Sequence, residues 1–115
     1  MVENSHIINI SSVLGTTGMP GATNYVASKG GVEAFTRSLA LEVIRDKIFV
    51  NAIALGYFET GLGLKLTDKI KNMVLERIPL KKFGDPEEIG AIVNYIISSR
   101  YLVGQVLHLN GGFRI

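Results

Sequence analysis

His6-Ile7-Ile8-Asn9-Ile10-Ser11 and, some forty residues on, Ile48-Phe49-Val50-Asn51-Ala52-Ile53-Ala54 decide the fold. Each is a short run rich in β-branched residues and stopped by turn formers: Gly15, Gly18, Pro20 and Gly21 after the first, Gly56 after the second. That pattern reads as a buried strand leading into a loop. Val106-Leu107-His108-Leu109 is a third, ending at Asn110-Gly111-Gly112. Between the first two runs, Asn24 to about Val43 carries apolar or small residues at helical spacing on two stripes. Val32, Phe35, Leu39 and Val43 form one, and Ala27, Ala34, Ser38 and Leu41 the other. One stripe suits the sheet. The second, with Gly30 and Gly31 nearby, either admits a closely approaching helix, for instance from a second subunit, or is simply small surface residues.

A second helix is expected over Asp68 to Arg77, stopping before Pro79. The third has clear starting chemistry: Asp85 to cap the free amides, Pro86 at the first helical position, Glu87 against the helix dipole and Glu88 to complete a capping box. Ile89, Ile92, Val93, Ile96 and Ile97 follow at the spacing of a core-facing stripe. Strands alternating with helices indicate βαβ units and hence a parallel sheet, in the order β-loop-α-β-loop-α-α-β. The chain is α/β, in one piece, with no internal repeat or linker.

The 115 residues suit one domain. Twelve Lys and Arg against ten Asp and Glu leave a formal charge of +2, a small imbalance that argues against a nucleic-acid partner. With no Cys and two isolated His, no metal site is expected. Met1 to Ser5 has neither the cationic start nor the apolar core of a signal peptide, and no apolar run approaches the roughly 18 residues of a membrane span. The sequence therefore reads as cytoplasmic, without a membrane partner. The mean hydropathy of +0.30 is high for a small domain and implies apolar faces that meet something outside this chain.

Tyr25 and Lys29 are four apart near the start of the long helix, so they share a face with Cβ atoms roughly 5–6 Å apart. A fixed ammonium near a phenol favours phenolate and makes the hydroxyl a better acid, which helps any reaction that protonates a developing alkoxide. A solvent-facing pair has the same spacing. Ser12 lies just past the carboxyl end of the first strand, where open parallel sheets place ligands, and its hydroxyl could donate to a carbonyl oxygen or merely close a turn. Leu55-Gly56-Tyr57-Phe58-Glu59-Thr60 leaves the next strand at that same edge. Gly56 there either lets backbone approach a ring or amide closely or is an ordinary strand-ending glycine.

Ser12, thirteen residues before Tyr25 in Tyr25-x-x-x-Lys29, resembles the active-site spacing of the short-chain dehydrogenases/reductases, and in detail the 3-oxoacyl-(acyl-carrier-protein) reductases among them. The stretches carrying the likeness are Ile8-Asn9-Ile10-Ser11-Ser12, Asn24-Tyr25-Val26-Ala27-Ser28-Lys29-Gly30-Gly31, Val50-Asn51-Ala52-Ile53-Ala54, Phe83-Gly84-Asp85-Pro86-Glu87-Glu88-Ile89 and Gly104-Gln105-Val106-Leu107-His108-Leu109-Asn110-Gly111-Gly112. The resemblance implies Tyr25 as proton donor, Ser12 as the group polarising the substrate carbonyl, and Lys29 as the group holding the nicotinamide ribose. It implies Gly56 and the Phe58 backbone facing the nicotinamide carboxamide, with Thr60 near the cofactor's amide or phosphates. The implied reaction is hydride transfer from NADPH to the 3-oxo group of an acyl-carrier-protein-linked substrate, as in fatty acid biosynthesis.

The departures are equally informative. A Rossmann site cradles the pyrophosphate with a strand, a Gly-rich turn and a helix N-terminus, and the family carries that unit in the first half of its chain. Gly15-x-x-Gly18-x-x-Gly21 has the wrong spacing and contains Pro20, and Gly61-Leu62-Gly63 lacks a third glycine, so both read as loops. The family's Asn-Asn-Ala-Gly segment and its active-site Asn have no counterpart, and Leu55 replaces the usual Pro. The resemblance thus implies the C-terminal half of a Rossmann-like doubly wound parallel sheet, three strands with flanking helices. On that resemblance residues 1–115 would form a partial domain, the catalytic half without the N-terminal Gly-rich dinucleotide-binding half. The three strands would then be neighbours, with His6 to Ser11 as a raw edge.

Two further expectations stand beside a reductase fragment. One is a non-catalytic remnant that either aggregates or pairs with full-length reductase subunits through the long helix and the last strand, with a homo-oligomer or a missing N-terminal half as the partner the resemblance implies. The other is a serine hydrolase using Ser12 with His6 or His108, which lacks the Gly-x-Ser-x-Gly elbow.

Overall fold

The computed structural model describes residues 1–60 and 65–113. Three strands, β1 (His6–Ser12), β2 (Phe49–Leu55) and β3 (Val106–Leu109), form one parallel sheet in the order β1-β2-β3. The register sets Ile8 beside Asn51 and Ser12 beside Leu55, and then Ile53 beside Leu107. β2 is central, and all but its last residue are buried. That is why its sequence is an apolar run broken only by Asn51 rather than an alternating one. β1 is an edge among the described residues, as the resemblance implied. Ser12 is its last residue rather than the first of the loop.

Among the described residues four α-helices accompany the sheet: α1 (Leu14–Thr17), α2 (Thr23–Val43), α3 (Asp68–Arg77) and α4 (Pro86–Ser98). The short α1 lies where the sequence suggests only loop. Gly15 belongs to it, and Gly18 ends it at φ 77°. Gly61-Leu62-Gly63, read as a loop, lies outside the described residues. The α3 bounds match the expected ones, with Thr67 as N-cap accepting from the Ile70 amide. Asp85 caps α4 as expected, but its carboxylate accepts from Glu87 N–H. Glu88 donates its amide to the Asp85 carbonyl, and no return bond from its side chain closes a capping box among the described residues.

Odd-numbered residues of β1 face α2 and even-numbered ones face the other side, where α4 packs. Ala40, Ile48 and Val50 form a buried cluster under α2, joined by Ile7, Leu39, Val43 and Val103. On α4, Ile96 is fully buried, whereas Ile97, expected in the same stripe, is half exposed.

Of the first expected α2 stripe, Leu39 and Val43 pack on the core and Val32 is half-buried, but Phe35 turns away. The buried line is Glu33, Thr36 and Ala40, and Phe35, expected against the sheet, is 57% exposed. Hydrogen bonds fix this rotation. Asn9 Nδ2 donates to Thr36 Oγ1 at 2.9 Å, and Ser11 Oγ donates to the Lys29 carbonyl at 3.0 Å. Leaving those strand side chains unpaired under a helix costs more than exposing one phenyl ring. The stripe of Ala27, Ala34, Ser38 and Leu41 is exposed, Leu41 at 77%.

Candidate active site

The carboxyl ends of β1 and β2 open into a cavity of about 470 Å³. Ser12, Tyr25, Lys29, Gly56, Phe58 and Thr60, the six residues singled out in the sequence, all line it. They come from three elements: the end of β1, the first two turns of α2 and the segment leaving β2. Ile10, Leu14, Leu55 and Ile89 supply apolar wall.

Ser12 Oγ accepts from the Leu14 amide at 3.2 Å, which leaves its single proton free to donate elsewhere. Tyr25 stands in the first turn of α2 and is 40% exposed. The Lys29 ammonium lies 5.8 Å from the centre of the Tyr25 ring and donates to the Ile10 carbonyl at 3.3 Å. Spacing along the helix therefore places the cation against the phenol as argued, and its hydrogen bond goes to the strand.

Gly56 does permit a close approach, but the neighbour is the end of β3. A Cβ there would lie 2.8 Å from Asn110 Cα, and the Gly56 amide donates to the Leu109 carbonyl at 2.9 Å. The Phe58 ring is buried beneath Gly84, where any Cβ would overlap it, and the two residues form a parallel bridge.

Tyr57 was not singled out from the sequence. It lines the main cavity and two others of about 240 and 230 Å³, and its ring packs on Phe83 and Phe113 at centroid distances of 6.4 and 5.5 Å. Burial, reinforced by the Tyr25 phenol and opposed by Arg77, holds its hydroxyl above the ordinary phenol range. It therefore remains a neutral hydrogen-bonding wall of the cavity. The only sequence signal was its place between Gly56 and Phe58 in the segment leaving β2.

Among the described residues there is no group of three or more His, Cys, Asp or Glu side chains fit for a metal ion, and no helix long and apolar enough to cross a membrane.

A parallel sheet with Ser12 at the end of β1, and Tyr25 and Lys29 on the helix beside it, all lining one cavity, fits a class, the short-chain dehydrogenases/reductases. A family model described as Enoyl-(Acyl carrier protein) reductase matches residues 1–114, and the chain belongs to that family within this class. It is 45% identical over 115 residues to the 3-oxoacyl-(acyl-carrier-protein) reductase of Thermotoga maritima, an alignment covering 98% of this chain and 47% of the relative. It is 43% identical to Nodulation protein G of a Rhizobium species, covering 96% and 46%. A variant of actinorhodin polyketide ketoreductase solved with NADPH superposes at a TM-score of 0.88 with 30% identity, covering 96% of this chain and 48% of that one. The chain spans about half the length of the curated relatives it matches.

Proposed function

We propose that this chain is the catalytic half of an NADPH-dependent reductase that converts the 3-oxo group of an acyl-carrier-protein-linked thioester to a 3-hydroxyl. The observation that carries the reading is the convergence of the Ser12 hydroxyl, the Tyr25 phenol and the Lys29 ammonium on one cavity. Relatives named for 3-oxoacyl reduction and a structural neighbour solved with NADPH support it. The family description names an enoyl reduction instead. Two hydroxyls in one cavity favour carbonyl chemistry, because they suit an oxygen that gains charge and then a proton.

The cavity fits the nicotinamide end of the cofactor. Lys29 and Tyr25 would hold the ribose, Gly56 and the Phe58 backbone would face the carboxamide, and Thr60 would lie near the amide or phosphates. The described residues contain no strand, Gly-rich turn and helix N-terminus arranged for a pyrophosphate, so that grip would come from the part of the relatives' length that this chain does not span. When bound, the cofactor supplies the hydride. Ser12, its oxygen already engaged by Leu14 N–H, donates its proton to the substrate carbonyl and polarises it. Tyr25 delivers its proton to the same oxygen as negative charge grows there. The Lys29 ammonium beside the ring stabilises the phenolate left behind. The apolar wall limits water around the reacting oxygen. We place the reaction in the cytoplasm.

The test is thioester reduction by the chain mixed with a separately produced first half of a relative, followed by loss of reduced-nicotinamide absorbance. Tyr25→Phe should lower the rate by about 100-fold or more, the usual share of a general acid. Undiminished turnover would remove Tyr25 as the acid, and tight NADPH binding by the 115-residue chain alone would overturn the inference of a missing pyrophosphate site. A second reading, a non-catalytic chain that joins full-length reductase subunits, draws on the exposed Phe35 and Leu41 of α2 and on the unpaired edge of β1. Co-purification with an intact subunit without any gain in turnover would favour it.

A further inference from the structure

Glu33 is a buried carboxylate that the proposed reaction does not use. It lies one turn beyond Lys29 and two beyond Tyr25 on α2, on the face turned to β1. Its partners are hydroxyls. Ser11 Oγ shares its one proton between the Lys29 carbonyl at 3.0 Å and Oε2 at 3.3 Å, and Thr16 Oγ1 lies 3.3 and 3.4 Å from the two carboxylate oxygens. Among the described residues the ion pair is Lys47 with Glu3, so Glu33 has no cation within ion-pair distance. A carboxylate buried against neutral donors is a costly way to fill space, and an apolar side chain would do that better.

What Glu33 does instead is join three elements. Ser11 is the neighbour of Ser12 on β1, Thr16 belongs to α1, and Glu33 itself belongs to α2. Gly15 is pressed into the same junction, where a Cβ would lie 2.8 Å from Glu33 Oε2 and 2.9 Å from the Lys29 carbonyl carbon. The first residue of that short helix, Leu14, supplies the amide that occupies Ser12 Oγ.

We propose that Glu33 is a positioning residue for Ser12: through Thr16 and Ser11 it holds α1 against α2, and so keeps the Leu14 amide on Ser12 Oγ and the Ser12 proton directed into the cavity. The proposal rests on the reading of Ser12 as the donor to the substrate oxygen.

Amide hydrogen exchange of the full 115-residue chain, followed by NMR, reports on this link directly. Glu33→Ala should speed exchange at Leu14 by about fivefold, the factor one lost net hydrogen bond supplies, while Val50 and Ile53 in β2 keep their protection. Glu33→Gln, whose amide oxygen still accepts from Thr16, should restore Leu14 to the parent rate. If Glu33→Ala fails to fold, Thr16→Val leaves the carboxylate in place and should reproduce the faster Leu14 exchange. Parent-like Leu14 exchange in Thr16→Val, or acceleration spread evenly over β2, would overturn the proposal. Kinetics of the complemented enzyme separate the two readings. Glu33→Ala should lower kcat with KM little changed. If Ser12→Ala leaves turnover intact while Glu33→Ala still frees Leu14, the role given to Ser12 fails and the Glu33 linkage stands.

Discussion

Adding one methyl group at either of two glycines should move stability in opposite directions. Gly56 has no positive φ, so alanine there suffers no backbone strain and only the contact counts. That contact is severe. The new Cβ would sit 2.8 Å from Asn110 Cα and 2.9 Å from its Cβ, atoms fixed to the chain that cannot swing aside. Asn110 is further pinned because its Oδ1 accepts from the Gly112 amide at 2.8 Å. Overpacking of this kind costs about 1–3 kcal/mol. With unfolding entropies of about 2.1 cal/mol/K per residue, Gly56→Ala should lower Tm by roughly 4–12 °C. Gly90, in the middle of α4, has nothing within 4 Å of a built Cβ. Alanine there gains up to about 1 kcal/mol of helix propensity, or roughly 4 °C. Thermal unfolding followed by circular dichroism compares the two. Equal shifts, or a Gly56→Ala variant as stable as the parent, would refute the close approach of the end of β3 at Gly56.

Two further outcomes follow from buried polar groups. Asn51 is fully buried on β2; its Nδ2 donates to the Leu102 carbonyl and its Oδ1 accepts from the Gln105 amide, both at 2.9 Å. Asn51→Ala strands both partners and should cost about 2–4 kcal/mol in urea unfolding with an unchanged m-value, whereas a loss below about 1 kcal/mol would show the bonds to be replaceable. His6, with Nδ1 buried and Nε2 3.2 Å from Arg100 Nη1, is lowered from its ordinary value by burial and then by that guanidinium. The folded state thus resists protonation, and stability present above about pH 6.5 should decline as pH falls below it. His6→Phe should flatten that acid limb, and parallel Tm profiles for parent and variant would dismiss the assignment.

The strands were legible because central β2 is buried on both faces and needs no alternation, and α4 because Asp85 and Pro86 spell out its start. The rotation of α2 was not legible. Apolar periodicity pointed to Val32, Phe35, Leu39 and Val43, but Asn9 and Ser11 on the facing strand demand polar partners and draw Thr36 and Glu33 inward, which leaves Phe35 outside. Such a preference appears only once the two elements are side by side. The short α1 escaped notice for a related reason, since its stretch is rich in turn formers and its support comes from α2. At the site, helical spacing brought Tyr25 and Lys29 together. Nothing local revealed that Tyr57 would border three cavities, that Gly56 would meet Asn110, or that Lys29 would reach Ile10.

The Lys29 ammonium on Ile10 has a colloidal consequence. The Val13 amide and the Ser5 carbonyl bond to β2, so by alternation the peptide groups of Ile8 and Ile10 point outward from the border of the sheet. A row of unsatisfied carbonyls and amides invites other chains to zip on, and lysine is a common deterrent. Here the positive charge caps one such acceptor, so any polypeptide seeking to extend the sheet in solution must first displace it.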